Sequence, residues 1–232
     1  VKNQALHNIS RALVAQKDKI IAANQLDYQE AEASGMNAAM LDRLMLNSSR
    51  IEAIAQDVLA VAVLPDPVGE IFDMRTLPNG LQVGKKRVPL GVIGAIYESR
   101  PNVTIDISVL CLKSGNAIIL RGGSEAVRSN NALARVVQEA SVKAGVPDGA
   151  VQFIENTDRT LVNHMLKMNQ VIDLLVPRGG AELIKFVAEN ATMPVVTGGI
   201  GVCHTYVDKS ADVKKAVAIA FNAKVQRPTV CN

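Results

Sequence analysis

Apolar residues recur at helical spacing through the first third of the chain. Leu6, Ile9, Leu13 and Ile20 fall near one face, and Gly35 closes that stretch. Leu41, Leu44 and Met45 predict a short second helix. Ser49-Arg50-Ile51-Glu52 reads as a capping box that opens a third, running toward Leu64 until Pro65-Asp66-Pro67 stops it. The period then changes. Ile71 to Leu77 and Leu81 to Val88 read as strands on either side of Asn79-Gly80, a pair that favours a two-residue hairpin. From Pro89 onward, short apolar runs alternate with helical stretches. The predicted strands are Gly91 to Tyr97, Ala117 to Arg121, Val151 to Ile154, Val171 to Val176, Pro194 to Thr197 and Val202 to Val207. A helix is expected over Ala211 to Ala223, and Gly115 and Gly145 stand where helix C-caps belong. Nearly continuous apolar runs suit strands covered on both faces. The alternation predicts an α/β fold with a doubly wound, Rossmann-like parallel sheet, a helical N-terminal region and an outlying β-hairpin.

Composition narrows the functional classes. The 232 residues are 48% hydrophobic and 20% charged, enough to bury a core and too apolar for a disordered chain. Aromatic residues make up only 3%, with no Trp, which argues against base-stacking platforms and hence against a nucleic-acid partner. The net charge of +3 comes from 25 basic and 22 acidic residues, scattered rather than striped, as on a solvated surface. No apolar run reaches the length of a membrane span. The chain opens on polar Val1-Lys2-Asn3-Gln4 rather than on Met, so no signal peptide is expected and the native start is expected to be missing. Cys111, Cys203 and Cys231 cannot all pair and lack the spacing of a zinc site. A reducing, cytoplasmic setting without a bound metal is expected, with at least one functional thiol.

Two strand-to-helix junctions share a pattern that can bind phosphate. Arg121-Gly122-Gly123-Ser124-Glu125 follows one predicted strand, and Pro177-Arg178-Gly179-Gly180 closes another. A Gly pair lets backbone approach a ligand, the next helix offers unpaired N–H groups, and an adjacent Arg adds a fork of donors. A pair of such junctions at the carboxyl ends of parallel strands suits a dinucleotide; two tight turns with solvated arginines are the plainer alternative. The Gly-x-Gly-x-x-Gly fingerprint of ordinary dehydrogenases is absent. Cys231 sits in the polar, Pro-containing run Gln226 to Asn232, either as an activated thiolate or as an incidental surface thiol. Cys111 and Cys203 fall in apolar segments and are expected in the core. Asn102, after Arg100-Pro101, either caps a helix or points its amide into the site. His7, His164 and His204 are isolated, and no pair of carboxylates stands out as acid and base.

Taken together, these segments resemble the aldehyde dehydrogenase superfamily, and within it the γ-glutamyl phosphate reductases. The likeness covers nearly the whole chain. It rests on Val88-Pro89-Leu90-Gly91-Val92-Ile93-Gly94, on Tyr97-Glu98-Ser99-Arg100-Pro101-Asn102-Val103-Thr104, and on Lys113-Ser114-Gly115-Asn116 with Arg121 to Glu125. Further on it rests on Ala144-Gly145-Val146-Pro147, Pro177 to Gly180, Thr197-Gly198-Gly199-Ile200-Gly201-Val202-Cys203-His204, and Gln226-Arg227-Pro228 to Cys231-Asn232.

The resemblance implies Cys231 as nucleophile and an NADP(H) cleft lined by the two Gly-Gly junctions and by Gly198-Gly199, with Arg121 and Ser124 near the 2′-phosphate. It implies Asn102 as a candidate oxyanion donor and Arg100 as a clamp for substrate phosphate or carboxylate. The hairpin matches part of an oligomerisation arm, so a homo-oligomer is expected. Hydrolytic relatives carry Glu two places before a Gly-Gly; here Val196 and Thr197 precede Gly198-Gly199, so the base that would activate water is missing. That suits an acyl phosphate as substrate. Glutamyl phosphate would be reduced to glutamate semialdehyde through a thioester on Cys231, with release of phosphate, in proline biosynthesis. The implied divisions are 1–70 (N-terminal helical part), 71–89 (hairpin arm), 90–226 (cofactor-binding α/β domain) and 227–232 (start of a catalytic domain that this chain largely lacks). A chain ending at Asn232 is expected to turn over little. A catalytically silent nucleotide-binding module and a CoA-acylating aldehyde dehydrogenase are the alternatives.

Overall fold

A computed structural model describes residues 1–198 and 201–226. The N-terminal region is helical, as the spacing predicts, but its first stretch is broken. Helix α1 (Lys2–Ala15) ends at Gln16, and α2 (Lys17–Ala33) starts directly after it. Helix α3 (Ala38–Leu44) and α4 (Ser48–Val63) follow. The amide oxygens of Asn37 and Asn47 cap these two, each accepting an N–H at 2.9 Å, from Met40 and Arg50. The predicted capping box is therefore displaced by Asn47. Glu52 instead accepts from Ser48 Oγ at 3.0 Å and Lys17 Nζ at 3.1 Å.

Helix α2 carries an unusual buried stripe of Ile20, Asn24, Asp27 and Ala31. Asn24 donates to Leu44 O at 2.8 Å and accepts from Leu46 N at 2.7 Å, fixing the α3–α4 connection. Asp27 receives Ser129 N at 2.7 Å and Ser129 Oγ at 2.6 Å from another helix, α6 (Val127–Val142).

The hairpin pairs β1 (Ile71–Thr76) with β2 (Gln82–Lys86), antiparallel. Its connection is not the two-residue turn expected from Asn-Gly. Leu77 N donates to Leu81 O at 2.8 Å and Gly80 N to Leu77 O at 2.8 Å, which makes a three-residue loop of Pro78, Asn79 and Gly80. Gly80 takes φ +84°, the left-handed position such a loop needs. Ile71, Met74 and Leu81 on this ribbon are exposed.

Parallel strands β3 (Val92–Tyr97), β4 (Ala117–Arg121), β5 (Val151–Phe153) and β6 (Leu174–Arg178) stand in the order β5-β4-β3-β6. Alternate residues serve opposite faces. Ile93, Ala95 and Tyr97 pack with Ile118, Leu120 and the helices α1, α4, α6 and α5 (Asn102–Lys113). Ile96 and Leu175 face the other way, toward Met165 at the end of α7 (Thr160–Met165), Ile172, Met193 and Val187 of α8 (Ala181–Asn190). Helices thus cover both faces, which is why the strands read as unbroken apolar runs.

Three strand expectations are corrected. The segment predicted at Val171 to Val176 forms its strand later, at Leu174–Arg178. Pro194 to Thr197 contributes one parallel bridge, Val195 to Leu175, and no strand. Val202 to Val207 is not a strand, and Val202 is 71% exposed: β-branched residues extend into a ladder only where a neighbour offers one, and none of the described residues does. Cys203 is exposed rather than in the core, whereas Cys111 is buried as expected. Helix α9 (Val213–Val225) forms but has no buried residue. Among the described residues no helix is long and apolar enough to cross a membrane.

Candidate functional site

The chain order reverses beside β3. From β3 it steps to β4 and β5 on one side, then returns to place β6 on the other. In an open parallel sheet, such a reversal sends the following loops to opposite faces and leaves a crevice at the carboxyl ends of the strands. The β3 exit, Glu98 to Pro101, lies at that reversal, with a Gly-Gly turn on each side. Ser99 there holds φ +53°, uncommon for a residue with a Cβ.

Side chains tie this loop to both turns. On the β4 side, Glu125 Oε1 accepts Ser99 N at 2.6 Å and Ser99 Oγ at 3.2 Å. On the β6 side, Gly180 N donates to Glu98 Oε2 at 3.0 Å and Glu98 N donates to Arg178 O at 3.0 Å. The two junctions singled out in the sequence are therefore brought to one end of the sheet and bridged by Glu98-Ser99, a dipeptide that the sequence marked only as part of the Tyr97 to Thr104 run, with no role of its own. Glu98 looks like an ordinary surface acid; only the strand order marks its position.

The β4 turn is tightly built. Gly122 and Gly123 are buried, and a Cβ on Gly122 would overlap the Asn130 amide and come within 3.2 Å of Tyr97 Cε2. Tyr97 Oη shares a hydrogen with Thr104 Oγ1 at 2.7 Å, and Thr104 Oγ1 donates to Asn130 Oδ1 at 3.1 Å, locking strand, α5 and α6 together. Burial pushes the Tyr97 hydroxyl well above the usual phenol range.

Arg121 is not displayed to a ligand. It is only 7% exposed, and its terminal nitrogens donate to Gly122 O and Thr157 O, both at 2.7 Å. Ser124 is exposed and begins a 3₁₀ turn (Ser124–Ala126) ahead of α6. The β6 turn is more open: Arg178, Gly179 and Gly180 are exposed, while Pro177 is buried in the strand. Proline fits there because β6 has a ladder partner on one side and a lone bridge on the other.

Arg100 is half-buried on the β3 exit. Asn102 does not cap α5; it is the first helical residue, and its Nδ2 donates to Asp106 Oδ2 at 3.0 Å. Burial, with the Asp57 charge adding to it, pushes the Asp106 carboxyl up to about 6, against the pull of Asn102 and Arg178. The folded chain thus keeps a proton on Asp106 that the unfolded chain, titrating near the ordinary 3.8, has released. Between these values the folded state binds more protons, so stability falls as pH rises through the window. Asp106→Asn is expected to raise unfolding free energy at pH 8 by about 1 kcal/mol, a gain that vanishes near pH 4. Urea unfolding at the two pH values checks this; equal curves for variant and parent at pH 8 would refute it.

Gly198 is exposed, with open space where its Cβ would be, and Val196 is exposed beside it. Gly199 and Cys231 lie outside the described residues. Among those that are described, no three His, Cys, Asp or Glu side chains gather as metal ligands.

A profile of the aldehyde dehydrogenase family matches residues 2–227. Curated relatives named gamma-glutamyl phosphate reductase include that of Dehalococcoides mccartyi (strain CBDB1), 63% identical over 231 residues. That of Caldanaerobacter subterraneus is 57% identical. These alignments span all of this chain and 54% and 56% of the relatives, so the chain covers about half their length. The crystal structure of gamma-glutamyl phosphate reductase from Thermotoga maritima superposes with a TM-score of 0.90 at 46% identity, over 99% of this chain and 56% of its own. The enzyme of the same name from Saccharomyces cerevisiae gives 0.78 at 35% identity, over 97% and 57%. The fold is thus shared with these enzymes, and the chain belongs to the aldehyde dehydrogenase family.

Proposed function

We propose that this chain is the cofactor-binding part of an enzyme that reduces L-glutamyl 5-phosphate to L-glutamate 5-semialdehyde and releases phosphate, in cytoplasmic proline biosynthesis. One observation carries the reading: relatives that match the whole chain at 52–63% identity bear the name of that reductase. Residues 1–70 and 90–226 would form the cofactor-binding domain, 71–89 an arm, and 227–232 the entry to a catalytic domain.

The cofactor is read as NADP(H), which when bound supplies the hydride that takes the acyl group to the aldehyde level. The β6 turn fits the diphosphate of such a group. Gly179 and Gly180 are exposed at the head of α8, where main-chain N–H groups face outward, and a Cβ on Gly179 would come within 2.5 Å of Glu98 Oε2 unless that side chain turned aside. At the β4 turn, Gly122 and Gly123 bring the main chain close, and Ser124 offers an exposed hydroxyl; Arg121 would shape this turn through Gly122 and Thr157 rather than grip a phosphate. Gly198 and Gly199 would border the same cleft. The Cys231 thiolate would attack the acyl carbon and expel phosphate, forming the thioester. Arg100 would clamp the departing phosphate or the substrate carboxylate, and Asn102 would stand near the developing oxyanion. Neither Val196 nor Thr197 is a base for water, so the thioester would survive until it is reduced.

The hairpin would meet a second copy of the chain. Its apolar Ile71, Met74 and Leu81 are exposed, and a lone two-stranded ribbon is marginal in water.

The test is NADP reduction with glutamate semialdehyde in a chain extended to the length of its relatives. Reduction that requires inorganic phosphate is the expected result. Reduction without phosphate would reject the acyl-phosphate reading, and reduction that requires CoA would replace it with an acyl-CoA one.

A further inference from the structure

We propose that the Glu98 carboxylate is a built-in anion that occupies the head of α8 and must be displaced by any diphosphate-bearing ligand that binds there. The inference rests on the cofactor reading of the Gly179-Gly180 turn. It concerns what this chain places in that turn.

Glu98 is the first residue beyond β3, at the reversal of strand order. Its main chain is held: the N–H donates to Arg178 O at 3.0 Å, and the next residue, Ser99, is pinned by Glu125 at 2.6 Å. Its side chain is exposed, so it can rotate without moving the loop. In the conformation described, Oε2 accepts the Gly180 N–H at 3.0 Å. That N–H is one the helix cannot satisfy itself, at the end where its dipole is positive. A phosphate oxygen would seek the same donor. The carboxylate also lies close to where a side chain on Gly179 would begin: a Cβ there would be 2.5 Å from Oε2 and 2.7 Å from Leu183 Cδ2. Among the described residues no ion pair to Glu98 is formed, so its negative charge is left to the helix end. A ligand bringing two phosphates must take this N–H from Glu98 and overcome its repulsion, and both terms set affinity at this turn.

A plain helix cap would use the same hydrogen bond, and Glu98→Gln separates the two roles. Glutamine keeps an acceptor of the same length for Gly180 N–H and removes the charge. The experiment titrates this chain, Glu98→Gln and Glu182→Gln with NADP and with inorganic pyrophosphate, following the Gly180 amide resonance by NMR. Glu182 is also acidic and in the first turn of α8, and controls for charge in general. For Glu98→Gln we expect binding tightened about fivefold for both probes, more at low salt, with Glu182→Gln near the parent. Equal affinities for the parent and Glu98→Gln overturn the proposal while leaving the cofactor reading intact. An equal gain in Glu182→Gln also overturns it, by reducing the effect to general charge. If neither probe shifts the Gly180 resonance in any of the three proteins, the cofactor reading of this turn fails and takes the proposal with it.

Discussion

Cys231→Ala, made in a chain extended to the length of its relatives, is expected to lower phosphate-dependent NADP reduction by about 10³-fold or more while nucleotide still binds. The loss is that large because the proposed covalent path runs through this one thiol. Cys111 is buried in α5, and its thiol is pushed up to about 12, leaving almost no thiolate at neutral pH. On the proposed reading, in which Val196 and Thr197 take the place of the carboxylate that activates water in hydrolytic enzymes, water would not take over. Alanine therefore removes that covalent path. Stopped-flow detection of the thioester, together with steady-state rates, measures the effect. A variant that keeps a tenth or more of the parent rate would dismiss Cys231 as nucleophile, and the thioester with it.

Asp27→Ala is expected to cost about 3 kcal/mol of stability, the largest single loss foreseen outside the reaction centre. Asp27 is only 2% exposed. Its carboxylate takes the Ser129 N–H and hydroxyl at the start of α6, and Arg128 Nη1 lies 3.2 Å away. Alanine would strand the two Ser129 donors in the interior and uncap the helix that covers β4 and β5. Arg128 would suffer less, since it also binds Glu30 at 2.7 Å. Asp27→Asn keeps acceptor capacity on one side only and should lose roughly half as much. Urea midpoints for the two variants give the comparison. A loss under about 1 kcal/mol in Asp27→Ala would mean that water replaces the carboxylate and that the stripe on α2 is not a structural joint.

That joint also marks where sequence reasoning stops. The apolar face of α1 was legible because Leu6, Ile9 and Leu13 bury themselves at a regular period. Asn24 and Asp27 continue a buried face with polar side chains, and nothing local separates them from solvated ones. Their partner Ser129 comes from more than a hundred positions away. Both glycine turns were legible because a Gly pair after an apolar run is a local signal, and both fall at strand ends. Glu98 was not, because its importance depends on which strand lies beside which, and strand order leaves no mark on the residues. The strand expected at Val202 to Val207 fails for the opposite reason: its β-forming composition is real, but composition does not supply a neighbour. Asn79-Gly80 announced a hairpin correctly, and Pro78 lengthened its loop by one residue.

The strand order has a further consequence, for the time course of folding. β3 reaches β4 early, since Gly91 and Asn116, which join their starts, are 25 positions apart. It must wait for β6: Val92 and Asp173, at the start of that pairing, are 81 apart. During synthesis the apolar edge of Val92–Tyr97 that will receive β6 is therefore bare while α5, β4, α6 and β5 are being made. Helices α1 and α4, already available, can cover one face of the nascent sheet but not that edge. Closing so long a loop late makes β6 docking the expected slow step, and it makes the interval before docking the time when this chain is most open to aggregation.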